Sequence, residues 1–356
     1  MASTLITVLV AVCVPFFIVG IVGNIGVILC IFVTPSLRTR TNAIIISLAT
    51  SCLAFLLMVV PFTVDSFLHS SWRVALWYCH TTAYLAFGFI GITVCNIAAL
   101  SVYRYFCVVH PTKLFLRSIP NVVFLIVLSW LIPILTQTSL ATFQIAHTEF
   151  NPLYARCVVI KKGSPIVYNG LVFGGFLSTL AITLFSYAGI YRHVRKSTNR
   201  LRKQAQIGAQ RSSHPDVQTG QMINTDAETD GTSSTPNAVR TPDHSRARDK
   251  RPTSSGATNR HTKEQNYLTK ICVVVFALFM VCYGPIVILS AVYAKDDFPA
   301  DAYTVCTMIY WLGSCLHPLV YATLQPQMQK SVLRFLRCCR KTHSENRVTS
   351  VAADVA

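Results

Sequence analysis

Arg104 is a charged residue at the end of a long apolar segment of this sequence. It follows a stretch from Val74 to Tyr103 that contains no Asp, Glu, Lys or Arg. A cation in such a place must pair with another group or face water, because burial of a lone charge costs free energy. Two interpretations stay open: the Tyr103 hydroxyl caps Arg104 by a hydrogen bond, or Arg104 has no local partner.

A second set of residues combines cations with aromatic rings. The cations flank the apolar stretches and the rings lie within them. An anionic head group beside an apolar slot suits this combination, since basic side chains form charge-assisted hydrogen bonds to a carboxylate. The set favours a site for a fatty acid or another small lipid-like anion, and solvated loop lysines are an equally open interpretation. Its members are Arg73, Arg156, Lys161, Lys162, Tyr84, Phe87, Phe89, Phe173 and Trp311.

Catalytic chemistry is not expected. The apolar stretches contain no paired carboxylates, no histidines at metal-ligand spacing and no nucleophile with a recognisable base. We therefore expect neither an enzyme nor a bound cofactor or metal.

The elements that position these residues are membrane helices. The mean hydropathy is +0.48 and only 13% of the residues are charged, so lipid must be the solvent over much of the chain. Stretches of at least ~20 uncharged residues are long enough to cross the hydrocarbon core, and in lipid each must satisfy its own backbone hydrogen bonds. The sequence thus predicts an all-α membrane protein, a bundle of seven transmembrane helices. The stretches are Met1–Leu37, Thr41–Val64, Val74–Tyr103, Ser118–Thr148, Gly163–Tyr191, Ile271–Ala294 and Ala302–Gln329.

The distribution of basic residues predicts the orientation. Residues 38–40, 104–117, 192–203 and 330–341 carry basic clusters beside alternate connections and in the tail, which places them on the cytoplasmic side. The amino terminus is then extracellular and the carboxyl terminus cytoplasmic, as expected of a multi-pass protein of the plasma membrane. The formal charge of +17 reflects loops near an anionic leaflet, so nucleic acid is not an expected partner.

The chain divides into four regions by composition. We expect five transmembrane helices in residues 1–194 and two more in residues 264–324. Residues 195–263 are rich in Ser, Thr, Asn, Asp, Gln, Pro and Arg, which predicts a disordered third cytoplasmic loop. In residues 325–356 apolar and basic residues alternate at helical spacing, as in a short amphipathic helix on the inner leaflet. Cys338 and Cys339 follow it and are candidates for palmitoylation, with a plain reduced pair as the alternative.

Cys79 and Cys157 differ from the other cysteines, most of which lie inside the apolar stretches. Cys79 begins the third stretch on its outer side, and Cys157 lies in the outer loop between the fourth and fifth. This compartment is oxidising, so a disulfide between them would tie the loop over the bundle.

The order of polar and proline residues along the seven stretches resembles the rhodopsin-class (class A) G-protein-coupled receptors. Four further segments resemble the receptors for medium-chain fatty acids within that class: 35–42, 61–73, Phe279 with 283–285, and 311–318. The class landmarks are Asn24, Cys79, Arg104, Trp130, Pro285 and the run from Pro318 to Tyr321.

The resemblance implies how such a chain works: a ligand on the outer side biases two packings of the bundle, and a cytoplasmic cleft opens for a heterotrimeric G protein. The class usually has an acidic residue where this chain has Tyr103, so we expect raised signalling without ligand. Glu264 would substitute for the missing partner if its side chain points inward, but the position that matches the usual partner at the cytoplasmic end of the sixth helix is its neighbour, Gln265. Coupling and activation would involve Arg104, Tyr103, Tyr187, Phe279, Tyr283, Pro285, Pro318 and Tyr321.

The resemblance also points to a polar group in the middle of the bundle, made of Asn24, Cys52 and His317. Most of the class has an aspartate and an asparagine at the last two positions, where they hold sodium. Thiol and imidazole are poor ligands for a hard cation, so we expect no effect of sodium on agonist affinity. A zinc site would need more than two soft ligands, and a hydrogen-bonded contact between Cys52 and His317 is favoured.

The ligand class is narrowed by what the resemblance excludes. Ala86 cannot pair with an ammonium group, and Trp311 replaces the lysine that retinal requires. In the fatty-acid receptors an arginine four residues beyond the loop cysteine takes the carboxylate, and Lys161 matches it here. By the same analogy an inhibitory G protein is favoured. The alternatives are a non-signalling decoy receptor and, less favoured, a membrane transporter.

Overall fold

In the computed structural model the described residues are 4–113, 118–152, 155–161, 165–212, 270, 273–289, 300–324 and 327–334. The chain divides into two units, one of Met1–His193 with Glu264–Ala356 and one of Val194–Lys263. The helical bundle belongs to the first unit. The helices are α1 Thr4–Val33, α2 Arg40–Met58, α3 Val60–His69, α4 Leu76–Val109, α5 Ile119–Thr142, α6 Pro165–Ser212, α7 Val273–Leu289, α8 Ala300–Leu324 and a short α9 over residues 327–334.

Six spans among the described residues are long and apolar enough to cross a membrane, and α7 is a shorter apolar helix of 17 residues. The residues that flank α7, 271–272 and 290–299, lie outside the described part of the chain. Together these segments are the seven predicted helices of an all-α membrane bundle. Many large apolar side chains on α1, α5 and α6 are exposed, as expected of surfaces that contact hydrocarbon.

One span is built from two helices, α2 and α3, which meet at Val59. Pro61 follows directly, and a proline lacks the backbone N–H that would continue the helical ladder. The Val59 carbonyl accepts from the Thr63 backbone N–H at 3.2 Å and from the Thr63 hydroxyl at 3.0 Å, so the helical ladder resumes directly after the break. The break brings Val59 and Thr63 to the inside of the bundle, where both are buried.

Close packing of α1 on α8 depends on two glycines. A Cβ placed on Gly20 would lie 2.9 Å from both Cα and Cβ of Cys315, and one on Gly23 would lie 2.9 Å from Cγ of Pro318. Small residues let membrane helices approach closely where no hydrophobic force drives them together. Asn24 adds a polar link, because its Nδ2 donates to the Ser314 carbonyl at 3.1 Å.

A two-stranded antiparallel hairpin follows α5, with β1 Ala146–Asn151 and β2 Arg156–Lys161. The predicted fourth stretch reached Thr148, but α5 ends at Thr142 and Gln144 turns the chain in the left-handed region, with φ of 50°. A disulfide joins Cys157 of β2 to Cys79 at the start of α4, as expected. We call this the hairpin end of the bundle. The other end of α4, roughly 37 Å from Cys79 along the helix axis, is the arginine end because it carries Arg104.

One of the predicted regions looks different in the structure. The loop expected from residue 195 begins later, since α6 continues to Ser212. Residues 195–212 contain no proline and many good helix formers, which explains the extension. Residues 213–263, which complete the predicted disordered loop, lie outside the described residues. The short α9 has Met328 buried and Leu333 exposed, while Cys338 and Cys339 lie outside the described residues.

Candidate functional site

The hairpin is fixed over one end of the bundle by several contacts besides the disulfide. The Ser66 hydroxyl of α3 donates to the Ala155 carbonyl at 2.6 Å. His80 Nδ1 lies 2.8 Å from the Thr148 hydroxyl of β1, and the Tyr84 hydroxyl donates to the Ala146 carbonyl at 3.2 Å. Three side-chain contacts from α3 and α4, together with the disulfide, therefore hold the hairpin over this end of the bundle.

A cavity lies beneath the hairpin, between the α2–α3 break, α4, β2 and α8. We call it the hairpin cavity. Its walls are mostly apolar or aromatic, with two threonines and one charged side chain. They consist of Val59, Thr63, Trp72, Thr82, Ala83, Ala86, Phe87, Arg156, Cys157, Tyr310 and Trp311. Such a lining, apolar with few polar groups, is typical of sites for small molecules.

Arg156 supplies the charge in the cavity wall, and its guanidinium reaches α8. Nη2 donates to the Tyr303 hydroxyl, and Nη1 donates to the Thr307 hydroxyl at 3.4 Å. The guanidinium carbon also lies 4.5 Å from the centre of the Tyr303 ring, within cation–π range. Nε is buried and has no hydrogen-bond partner, and none of the ion pairs in the described residues includes Arg156.

Two of the five predicted ligand residues, Phe87 and Trp311, line the hairpin cavity. Trp311 is fully buried, with its ring centre 5.8 Å from that of Phe67. Tyr84 is not among the lining residues, because its hydroxyl is directed to the hairpin backbone. Phe89, also in the predicted cationic and aromatic set, is part of the buried core.

Of the other predicted cations, Arg73 is described by the structure, and it is not among the cavity-lining residues. Arg73 is 55% exposed, and its Nη1 lies 3.5 Å from the Asp65 carboxylate and 2.7 Å from His69 Nε2. Lys161 ends β2, and its side chain is outside the described part of the chain, as is the whole of Lys162. A neighbouring carboxylate thus already partly compensates Arg73 at the surface.

Sequence reasoning placed Arg156 in the cationic set but did not single it out, and it missed the α8 residues that bind it. Tyr303, Thr307 and Tyr310 are spaced by four and three residues, so they lie on one face of the helix. This spacing was the available signal. The sequence did not show that Arg156 is the cation that meets this face of α8. That depends on the disulfide, because it fixes the neighbouring residue Cys157 against α4.

A chain of aromatic rings leads from the cavity into α7. Tyr310 and Tyr283 have ring centres 6.0 Å apart, Tyr283 stacks on Phe279 at 4.9 Å, and Phe279 lies 5.6 Å from Phe176 of α6. The Tyr283 hydroxyl also lies 3.4 Å from the Ser314 hydroxyl of α8. The predicted residues Phe279 and Tyr283 therefore connect the cavity wall to the middle of α7, next to Pro285.

The mid-bundle polar residues are buried but not joined as expected. The Cys52 thiol lies within hydrogen-bonding reach of the Ser51, Thr93 and Ser314 hydroxyls. His317 is 1% exposed, and neither of its ring nitrogens has a hydrogen-bond partner. The expected hydrogen bond between Cys52 and His317 is therefore wrong, because nearby hydroxyls offer the thiol its hydrogen bonds.

At the arginine end, Arg104 is 4% exposed, and no described carboxylate forms an ion pair with it. Its Nε is buried without a hydrogen-bond partner. Tyr103 is also buried and packs in a small cluster with Ile44 and Val122. The suggested alternative partner, Glu264, and its neighbour Gln265 lie outside the described residues.

Two tyrosines of the predicted activation set lie on α6 and α8. Tyr187 packs against the cluster of Tyr103, with its ring centre 5.9 Å from that of Phe276 of α7. Tyr321 is buried in the main core, three residues after Pro318. These positions place aromatic side chains from α4, α6, α7 and α8 in the bundle interior.

Comparisons with known proteins agree with this architecture. Residues 23–321 match the family model of the 7 transmembrane receptor (rhodopsin family). The chain is 25% identical to G-protein coupled receptor 84 of Bos taurus, over 90% of each chain, and 25% identical to the Allatostatin-A receptor of Bombyx mori, over 90% of this chain and 77% of that one. The structure matches squid rhodopsin with a TM-score of 0.69 over 94% of this chain and 85% of that chain, at 18% identity, which shows the shared fold.

Members of this family signal through G proteins, respond to small ligands and generally are not enzymes. The six long spans and α7 agree with a multi-pass protein of the plasma membrane. Because the match covers most of the chain, we conclude that it belongs to the rhodopsin family of seven-transmembrane G-protein-coupled receptors.

Proposed function

We propose that this receptor binds a medium-chain fatty acid, or another small lipid-like anion, in the hairpin cavity. The hairpin end lies outside the cell and the arginine end faces the cytoplasm. Binding then favours activation of an inhibitory-class heterotrimeric G protein.

The charges of the described residues support this orientation. Arg38, Arg40 and Lys113 lie near the arginine end, whereas the described carboxylates, Asp65, Glu149 and Asp301, lie near the hairpin end beside Arg73 and Arg156. Basic residues beside short connections favour the cytoplasmic side. The disulfide favours the same orientation, because such bonds persist in oxidising compartments.

The observation that carries the proposal is the guanidinium of Arg156 in the wall of an apolar cavity. A carboxylate would find charge-assisted hydrogen bonds there, and its acyl chain would find the rings of Phe87, Tyr310 and Trp311. The sequence segments that resemble medium-chain fatty-acid receptors point to the same ligand class. By that resemblance Lys161 is also a candidate for the head group, and Arg73 is a third cation at this end.

Signal transfer would use the ring contacts that leave the cavity. A ligand that displaces Tyr310 changes what Tyr283 packs against, and Tyr283 stacks on Phe279 of α7. A ligand shifts a conformational equilibrium only if it binds one of the two states more tightly than the other. Contacts with Tyr310 in the cavity wall would provide such a difference. The response at the arginine end would open a cleft beside Arg104, Tyr187 and Tyr321.

The test is G-protein activation in transfected cells, recorded without ligand and then with saturated acids of roughly eight to fourteen carbons, each an apolar chain with one anionic head group. The assay includes Arg104→Ala as the uncoupled baseline and Lys161→Ala as a ligand variant. We expect a dose-dependent rise with acid above the Arg104→Ala baseline, and selective loss with inhibitory-class subunits deleted. A wild-type receptor that reaches the surface but responds to no acid would contradict the proposal.

A further inference from the structure

We propose that Arg156 takes the anionic head group of the ligand, and that the acid competes with Tyr303 for its guanidinium. The inference rests on the proposed function, because it assigns the head-group position of the same ligand. It adds a contact that changes between the free and bound receptor.

The first step is the identity of the cation. Arg156 is the charged member of the cavity lining, and its Nε is buried without a hydrogen-bond partner. A guanidinium presents its donors as a planar fork, so a carboxylate can bind two of them at once. Arg73 is less suited, because it lies outside the lining and beside the carboxylate of Asp65.

The second step is the distance between Arg156 and Lys161. They begin and end β2, so their Cα atoms lie roughly 16 Å apart along an extended strand. Arg156 pairs with Asn151 near the turn of the hairpin, whereas Lys161 pairs with Ala146 at its open end. The two residues thus lie at opposite ends of the hairpin, and the two assignments are separable by mutation.

The third step is competition. In the structure Nη2 donates to the Tyr303 hydroxyl and Nη1 to the Thr307 hydroxyl, both on α8. These acceptors are neutral, and hydrogen bonds between two charged groups are stronger than those to a neutral acceptor. A carboxylate would therefore draw Arg156 away from α8 and release the hairpin from that helix. Since α8 also carries Tyr310, the release acts on the ring contacts of α7.

The experiment uses the full-length receptor in cells, with decanoic acid as the anionic probe and decan-1-ol as its uncharged counterpart. Variants at matched surface expression are Arg156→Gln, Arg156→Lys, Lys161→Gln and Tyr303→Phe. We expect Arg156→Gln to lower the potency of decanoic acid by roughly ten- to hundredfold, the range for lost hydrogen bonds between charged groups, with little change for the alcohol. Arg156→Lys should be intermediate, because a point charge replaces the fork.

Tyr303→Phe gives the readout that structural damage would not produce. It keeps the ring under the guanidinium but removes the competing acceptor, so we expect the potency of decanoic acid to rise by roughly two- to tenfold. A lowered potency in this variant would overturn the competition. Full potency in Arg156→Gln together with a loss in Lys161→Gln would overturn the assignment to Arg156 while leaving the proposed function intact. A wild-type receptor unresponsive to the acid would overturn both.

Discussion

The contact of α1 with α8 allows a quantitative test of packing, with Gly20→Ala as the perturbation. The added Cβ would lie 2.8 Å from Sγ, 2.9 Å from Cα and 2.9 Å from Cβ of Cys315. Two of these atoms cannot swing away, because Cα belongs to the backbone of α8 and Cβ is attached to it. The two helices must therefore separate, and the Asn24 hydrogen bond to the Ser314 carbonyl at 3.1 Å would lengthen with them.

The expected magnitude combines two opposing effects. Overpacking by one methyl group in a tight interface costs about 1–3 kcal/mol. Replacement of glycine by alanine inside a helix contributes up to about 1 kcal/mol in the opposite direction. Gly26 lies on the same helix, and a Cβ there meets nothing within 4 Å, so Gly26→Ala has only the second effect. The two variants should then differ by about 1–3 kcal/mol in unfolding free energy.

The assay is thermal denaturation of purified receptor in detergent, with both variants and wild type measured at one heating rate because unfolding of membrane receptors is often irreversible. At about 2–4 °C per kcal/mol for large domains, Gly20→Ala should melt several degrees below Gly26→Ala. Equal melting temperatures for the two variants would refute the close approach of α1 to α8 at Cys315. A lower melting temperature for Gly26→Ala would refute the assignment of the tight face.

Three further predictions concern polar residues inside the bundle. Tyr103→Glu supplies the carboxylate that the class usually has directly before Arg104. Ligand-free G-protein activation should therefore fall severalfold toward the level of Arg104→Ala. Unchanged ligand-free activation would instead favour a hydrogen bond from the Tyr103 hydroxyl as the cap of Arg104. Agonist affinity of wild type should be the same in sodium and choline chloride, whereas the Cys52→Asp/His317→Asn double variant should gain sodium sensitivity through its oxygen ligands. Ser47→Ala removes the acceptor of the Trp130 indole N–H at 2.9 Å and should cost about 1 kcal/mol, seen as a lower melting temperature that Ser47→Thr restores.

The helices of this receptor were largely predictable from the sequence because lipid imposes a simple rule. A segment that crosses hydrocarbon must be long, uncharged and hydrogen-bonded within itself, and those properties can be read from composition alone. The disulfide was predictable for a related reason, since the orientation put Cys79 and Cys157 in one oxidising compartment.

The hairpin and the inward direction of Arg156 were not predictable in the same way. Residues up to Thr148 were assigned to the fourth apolar stretch and the following ones to a loop, whereas the disulfide and the Ser66 contact hold a paired hairpin over the bundle. Such tertiary contacts override local preference. The break at Pro61 had a local signal, but its consequence, a cavity wall at Val59 and Thr63, depends on how α4 packs against it.

The polar residues of the bundle suggest where a charge is able to influence this receptor. In the described middle of the bundle the polar groups form neutral contacts: Asn24 with a backbone carbonyl, and Cys52 with hydroxyls. A neutral contact responds weakly to a ligand of either charge, whereas Arg156 holds neutral acceptors on α8 with a full positive charge. An anion that enters the hairpin cavity therefore improves the pairing of Arg156 more than that of the other cavity-lining residues. The free energy that Arg156 gains by pairing with the anion, relative to its neutral acceptors on α8, is what would shift the bundle from one packing to the other.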